Sequence, residues 1–233
     1  MRRRTTCGLA LAIAAILVPA VPVTAEAQIY VGREAPHRGS IEVGGGGTFL
    51  PGFDMGGRTA ELTTSAATGS YELFTTESRV SGFPGASARV AYYLSSAVSI
   101  EGMVRYARPQ ISVRLDGDAE SASPVTATET ASHYVFGGSL VLDLRQAAFA
   151  GGRAVPFLSG GAGHLRELHE GNQLVETGTE FHATAGVKYW LGSGDRRFGV
   201  RVEAGFSGRE KGFDDEEGRR LLPMVLGGLS YLF

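Results

Sequence analysis

Residues 181–191 are FHATAGVKYWL, and apolar and polar side chains alternate along them. Phe181, Ala183, Ala185, Val187, Tyr189 and Leu191 fall on one side of an extended chain, and His182, Thr184, Gly186, Lys188 and Trp190 on the other. Successive side chains of a strand point to opposite faces, so this period of two predicts a strand with one apolar and one polar face. After GSGDRR (192–197) the pattern restarts. Phe198, Val200, Val202, Ala204 and Phe206 oppose Gly199, Arg201, Glu203, Gly205 and Ser207.

Working outward, the same alternation recurs. Ala86, Ala88, Val90, Tyr92 and Leu94 oppose Ser87, Arg89, Ala91 and Tyr93; after a tight turn at Ser95-Ser96, Val98, Ile100, Val104 and Tyr106 oppose Ser99, Glu101, Met103 and Arg105. Tyr134, Phe136, Leu140, Leu142 and Leu144 oppose His133, Gly137, Ser139 and Asp143; Ile41, Val43 and Phe49 oppose Glu42 and Thr48. Ala154–Arg166, interrupted by SGGAG, and Leu221–Phe233 complete a count of eight. The first two connections between strands are a long polar stretch (51–83) and a short turn; 109–130 is long again and 145–153 shorter. This predicts an all-β chain: an eight-stranded antiparallel up-and-down barrel over residues 39–233.

The N-terminus supplies the compartment. Arg2, Arg3 and Arg4 precede an apolar run from Leu9 to Val18 and a small-x-small site at Ala25-Glu26-Ala27, the layout of a Sec-type signal peptide. Residues 1–27 are expected to be cleaved, leaving a short periplasmic segment (28–38) before the barrel. The apolar run is shorter than the roughly 20 residues a membrane helix needs. Loss of the leader takes the 22 basic and 24 acidic residues to 19 and 23, a net charge of −4, which gives no case for nucleic-acid binding. Cys7, the chain's one cysteine, leaves with it, so no disulfide can staple the fold.

Alternation alone does not say which face is inside. Aromatic residues near strand ends (Tyr92, Tyr106, Tyr134, Tyr189, Phe198, Phe206, Tyr231 and Phe233) suit the girdles of a transmembrane barrel. Strands of about 10–13 residues suffice for a tilted crossing, which needs roughly 9–11. Closure removes the unpaired strand edges that a bilayer does not tolerate. The apolar face is therefore expected to meet lipid. Glu42, Arg89, Glu101, Arg105, Asp143, Lys188, Arg201 and Glu203 are then expected to line a narrow, plugged, salt-bridged interior, because buried charges must be paired. A soluble periplasmic β-barrel is the competing reading.

Leader, eight amphipathic strands and the terminal LSYLF (229–233) together resemble the small outer-membrane β-barrel family of the OmpA, OmpX and OmpW type, over residues 39–233. PFLSGGAG (156–163) is similar to that family's glycine-rich fifth strand. The resemblance implies outer-membrane localisation and a final strand read by the barrel-assembly machinery. Leu229, Tyr231 and Phe233 match that assembly signal, and Gly227 departs from it. It also implies periplasmic chaperones as partners during biogenesis, and no appended peptidoglycan-binding domain is expected.

Chemical candidates are few. HLRELHE (164–170) gathers His164, Glu167, His169 and Glu170, but on a strand the two histidines face opposite ways, and at i, i+5 they do not match the i, i+4 pair of a zinc helix. GGGG (44–47) lacks the Gly-Lys-Ser/Thr ending of a phosphate loop and reads as strand curvature. No spacing singles out a Ser–His pair, and no motif of the lipid A deacylases or palmitoyltransferases is present. No catalytic residue, metal or cofactor is expected. Arg209, Lys211, Asp214, Asp215, Glu216, Glu217, Arg219 and Arg220 form a charged stretch placed in the last external loop, a candidate contact for lipopolysaccharide.

The expected function is structural or interactive: a monomeric outer-membrane barrel supporting envelope integrity, adhesion or binding of an unknown surface ligand. Such binding is assigned to the loops around Thr59–Ser78 and Ser112–Thr130. A narrow channel for small or hydrophobic solutes, and a lipid A-modifying enzyme, are the alternatives.

Overall fold

The computed structural model describes residues 36–63, 70–117, 123–169, 174–191, 198–210 and 220–233. The expected leader and most of the expected periplasmic segment (28–35) lie outside the described residues. Among the described residues there are twelve strands: β1 (Ile41–Leu50), β2 (Phe53–Thr63), β3 (Ser70–Val80), β4 (Phe83–Tyr93), β5 (Val98–Ala107), β6 (Gln110–Asp116), β7 (Val125–Thr130), β8 (Ser132–Asp143), β9 (Ala154–Leu168), β10 (Val175–Trp190), β11 (Phe198–Glu210) and β12 (Arg220–Leu232).

Eight of them close into a barrel in the order β1-β12-β11-β10-β9-β8-β5-β4, with β4 returning to β1. All its pairings are antiparallel. These are the eight strands that alternation predicts. The last strand closes on the first, with Tyr231 opposite Val43 and Leu229 opposite Gly45. Beyond the barrel strands the Phe233 amide donates to the Ile41 carbonyl.

Alternation resolves into one lipid-type exterior. Leu140 is 56 % exposed and its neighbour Val141 is 0 % exposed. The exterior is aromatic at both ends. Tyr92, Tyr189, Phe198, Tyr231 and Phe233 ring the end with the short turns, and Phe49, Tyr106, Phe181 and Phe206 ring the other. Apolar side chains left outside at this density cannot face water without cost; around a closed barrel with a polar interior they form the lipid-facing band of a transmembrane barrel.

Close packing of so small a barrel depends on inward-facing glycines. A Cβ on Gly46 would lie 2.1 Å from the Gly227 carbonyl oxygen, and one on Gly205 2.0 Å from that of Ala183. Of the four glycines at 44–47, Gly44 and Gly46 face such contacts, whereas Gly45 and Gly47 have room outside. The curvature reading of GGGG therefore holds for alternate residues.

The long connections depart from expectation. Residues around Thr59–Ser78 and Ser112–Thr130, read as loops, contain strands that form a second antiparallel sheet in the order β2-β3-β6-β7. This sheet repeats the order of β1-β4-β5-β8, so each of those four wall strands continues beyond the barrel. The continuity breaks at residues 51–52, 81–82, 108–109 and 131. Pro51 and Pro109 have no N–H to donate to a ladder, and Gly52 passes so close to Val80 that a Cβ would lie 2.6 Å from its carbonyl oxygen. The barrel strands are also longer than expected, reaching 15 residues in β9 and 16 in β10.

Where the sheet meets the barrel mouth, Leu50, Val80, Phe83, Ala107, Ile111, Ala131, Leu222, Met224 and Leu226 pack into one apolar cluster. Phe53, Met55 and Val113 of the sheet lean on it. This explains the inward leucines of β12: they cap the interior rather than line a polar lumen.

Candidate functional site

The barrel interior concentrates the chain's buried polar chemistry. Glu42, Arg89, Glu101, Arg105, Asp143, Lys188, Arg201 and Glu203 are all buried there, each carried inward by the strand parity that turns its apolar neighbours out. They join into layers stacked along the barrel.

Nearest the short turns, the Lys188 ammonium lies 3.0 Å from Glu42 and 3.2 Å from Asp143. It also donates to the Tyr93 hydroxyl at 2.9 Å. That hydroxyl lies 2.7 Å from a Glu42 oxygen and 3.3 Å from one of Asp143. One ammonium and one phenol thus hold two carboxylates together. The Phe157 ring completes the layer, with Lys188 5.6 Å and the Arg201 guanidinium 4.4 Å from its centroid, in the range of cation–π attraction.

In the middle layer Arg201 donates to Glu101 at 2.5 Å and to Glu203 at 3.0 Å. Glu203 also accepts from Arg89 at 3.0 Å and from the Thr184 hydroxyl at 2.8 Å. Above it, Arg105 pairs with Glu180 and contacts the Met224 sulfur, and Ser139 Oγ lies 2.8 Å from His182 Nε2. At the level of the mouth that carries the second sheet, Glu167 lies 2.7 Å from His133 Nδ1 and 3.4 Å from Arg209.

Four members of this interior escaped sequence reading: Glu167, Glu180, His133 as a network partner, and Arg209. Arg209 needs a correction. Composition groups it with the charged stretch that follows, but it lies within β11, buried beside Glu167 and His133. Its parity with Arg201, Glu203 and Ser207 is the signal that places it inside. Residues 211–219 of that stretch lie outside the described residues, and Arg220 opens β12.

Leu229 and Tyr231 face outward on β12 and Phe233 follows it, also exposed, with the Tyr231 and Phe233 rings 4.7 Å apart in a T-shaped contact. His164 faces outward on β9 and Glu167 inward. His169 sits at the rim beside Glu129 and Glu176. Among the described residues no cluster of His, Cys, Asp or Glu is arranged to hold a metal.

The Ser139–His182 pair deserves a chemical test because sequence spacing did not single it out. A nucleophilic serine needs a base oriented by a third group, with space for a substrate. His182 Nδ1 has no hydrogen-bond partner. The space enclosed among Arg89, Arg105, Ser139, His182 and Glu203 is about 20 Å³, room for about one water. The pair is geometrically a buried structural contact.

The same fold occurs in a solved outer-membrane protein. The outer membrane protein OprG from Pseudomonas aeruginosa superposes with a TM-score of 0.50 over 86 % of this chain and 99 % of that one, at 11 % identity. Ail of Yersinia pestis, solved with the heparin analogue sucrose octasulfate, aligns over 84 % of this chain and 99 % of that one, with a TM-score of 0.43 and 12 % identity. Outer membrane protein AlkL, solved by NMR in lipid bilayers, gives 0.42 and 12 %, covering 87 % and 94 % of the two chains. No protein-family model matches the chain, and no curated protein matches it in sequence. At 11 % identity the likeness to OprG is one of fold. A closed eight-stranded barrel with an apolar exterior and a charged interior is the architecture of a small integral outer-membrane protein, and fold and surface together define that class here.

Proposed function

We propose that this outer-membrane barrel has a structural and surface-interaction role, holding an external β-sheet in place rather than conducting solutes. The filled interior is the observation that carries the reading. Ion pairs cross it at successive levels, the apolar cluster covers its mouth, and the pocket among Arg89, Arg105, Ser139, His182 and Glu203 holds about 20 Å³. A channel for small or hydrophobic solutes needs a gap that these side chains occupy.

The β2-β3-β6-β7 sheet is the natural platform for binding. On its outward face Glu77, Arg79, Arg114 and Asp116 alternate with threonines and serines, and the opposite face leans on the apolar cluster. A mixed-charge, hydroxyl-rich surface suits a polar ligand or envelope component. During biogenesis the outward Leu229, Tyr231 and Phe233 are the residues offered to the assembly machinery and periplasmic chaperones.

Liposome swelling tests this reading. Proteoliposomes of the folded barrel should admit small sugars no faster than protein-free liposomes. Swelling at porin-like rates would shift the assignment to solute passage.

A further inference from the structure

The outer wall formed by β5, β8 and β9 carries two features that the sealed interior does not use. One is a pair of arginines. Arg166 lies on the cross-strand rung Tyr106–Tyr134–Arg166, and Arg108 lies two residues beyond Tyr106. Both are exposed, and no carboxylate pairs with either among the described residues. The Tyr106 and Tyr134 rings between them are 4.9 Å apart, at the external aromatic girdle where tyrosines mark the headgroup level.

The second feature is a pair of concavities on either side of that girdle. Towards the membrane, a shallow, open groove floored by glycines runs past Gly102, Phe136, Gly138, Ala162 and His164. On the external side, a dent of about 420 Å³ holds Arg108 together with Ser81, Gln110 and Thr130, where the wall breaks between barrel and external sheet. Polar donors, a tyrosine pair and an apolar-sided groove thus follow one another down a single wall.

We infer that this wall is a binding site for one phosphorylated acyl lipid of the external leaflet, of lipid A chemistry. The lipid phosphates meet Arg108 and Arg166, with Ser81, Gln110 and Thr130 donating to the headgroup, and one acyl chain occupies the groove. The charge match decides the occupant. Guanidinium groups bind phosphate bidentately, and the outward rungs from Tyr106 to Gln110 carry no acidic side chain that would repel it. The inference rests on the proposed outer-membrane orientation, in which the long connections face outward.

Native mass spectrometry of the detergent-folded full barrel, titrated with bisphosphorylated lipid A, tests the site. The native chain is expected to retain one lipid per barrel. The double variant Arg108→Gln/Arg166→Gln should weaken retention by about tenfold or more, as expected for lost charge-assisted bonds. Gly138→Leu fills the groove without backbone conflict, since a Cβ there meets only the Glu101 carbonyl, at 3.6 Å, and it should also weaken retention. Arg153→Gln, an exposed arginine in the short connection between β8 and β9 at the other end of the barrel, should leave it unchanged. Each variant is first checked for the heat-dependent gel shift of a folded barrel, which tests the fold separately from the lipid. Absence of binding by the native chain overturns the proposal. So does undiminished binding by the double variant or by Gly138→Leu, a loss with Arg153→Gln, or equal retention of dephosphorylated lipid A or phosphatidylglycerol.

Discussion

Arg201 on β11 and Glu101 on β5 meet at 2.5 Å across the full width of the barrel. In the closed strand order the two strands are four steps apart in either direction, so the bond runs along a diameter and blocks the axis at that level. Removing the guanidinium leaves Glu101 and part of the Glu203 site as buried, unpaired charge. Arg201→Met should therefore cost about 3–5 kcal/mol, read from urea unfolding by the fluorescence of Trp190, the single tryptophan. A loss too small to move the unfolding midpoint would show that the diametric bond is not a main support.

Tyr93 is predicted to matter through its hydroxyl alone. Tyr93→Phe keeps the ring beside Lys188 but removes the group that links Glu42, Asp143 and the ammonium. A loss of about 1–3 kcal/mol follows, because the partners are charged and buried. An unchanged urea midpoint would mean that Lys188 alone neutralises both carboxylates.

Glycine substitutions should separate by face. Gly205→Ala drives a methyl to 2.0 Å from the Ala183 carbonyl, while Gly102→Ala on the exterior meets nothing closer than 4.0 Å. The first should reduce the folded, heat-shifting fraction in detergent gels and the second should not. Equal behaviour would contradict the close inward packing.

The apolar cap gives another test. Phe83 is 2 % exposed at the centre of the mouth cluster and lies 6.0 Å, ring to ring, from His133. Phe83→Ala should destabilise by about 3–5 kcal/mol, the range for emptying an aromatic site in a packed core, measured by the same unfolding transition. Retention of native stability would mean that the cluster is loosely packed.

Six of the eight barrel strands were legible because each carries two faces of opposite chemistry, while β9, interrupted by glycines, and β12, with Leu222, Met224 and Leu226 turned inward, alternate less clearly. The eight expected interior charges follow from parity once the aromatic ends and strand lengths place the apolar face outside. What stayed illegible has physical reasons. β3 (SYELFTTESRV) and β7 (VTATET) lie beyond the lipid band, where no solvent condition forces an apolar outer face, so their alternation is weak and they read as loops. Glu180 lies one residue before the segment whose alternation was clearest, and extending the His182–Thr184–Lys188 parity back would have placed it inside. Glu167 was obscured by the glycines of β9, which blur alternation just where the chain must pass its neighbour closely. Arg209 stood next to a charged loop and was assigned by composition instead of by parity.

The central claim, that apolar residues meet lipid while a sealed polar interior lies behind them, is tested most directly by spin-label accessibility along β8. The chain from Gln28 onward has no cysteine, so single cysteines at Phe136, Leu140 and Leu142 and at Val135 and Val141 can be labelled one at a time in reconstituted bilayers. Labels at 136, 140 and 142 should collide with lipid-dissolved oxygen, and those at 135 and 141 should meet neither oxygen nor a water-soluble nickel reagent. Oxygen contact at the odd positions, or nickel contact there, would contradict the account by showing a reversed face or an open lumen.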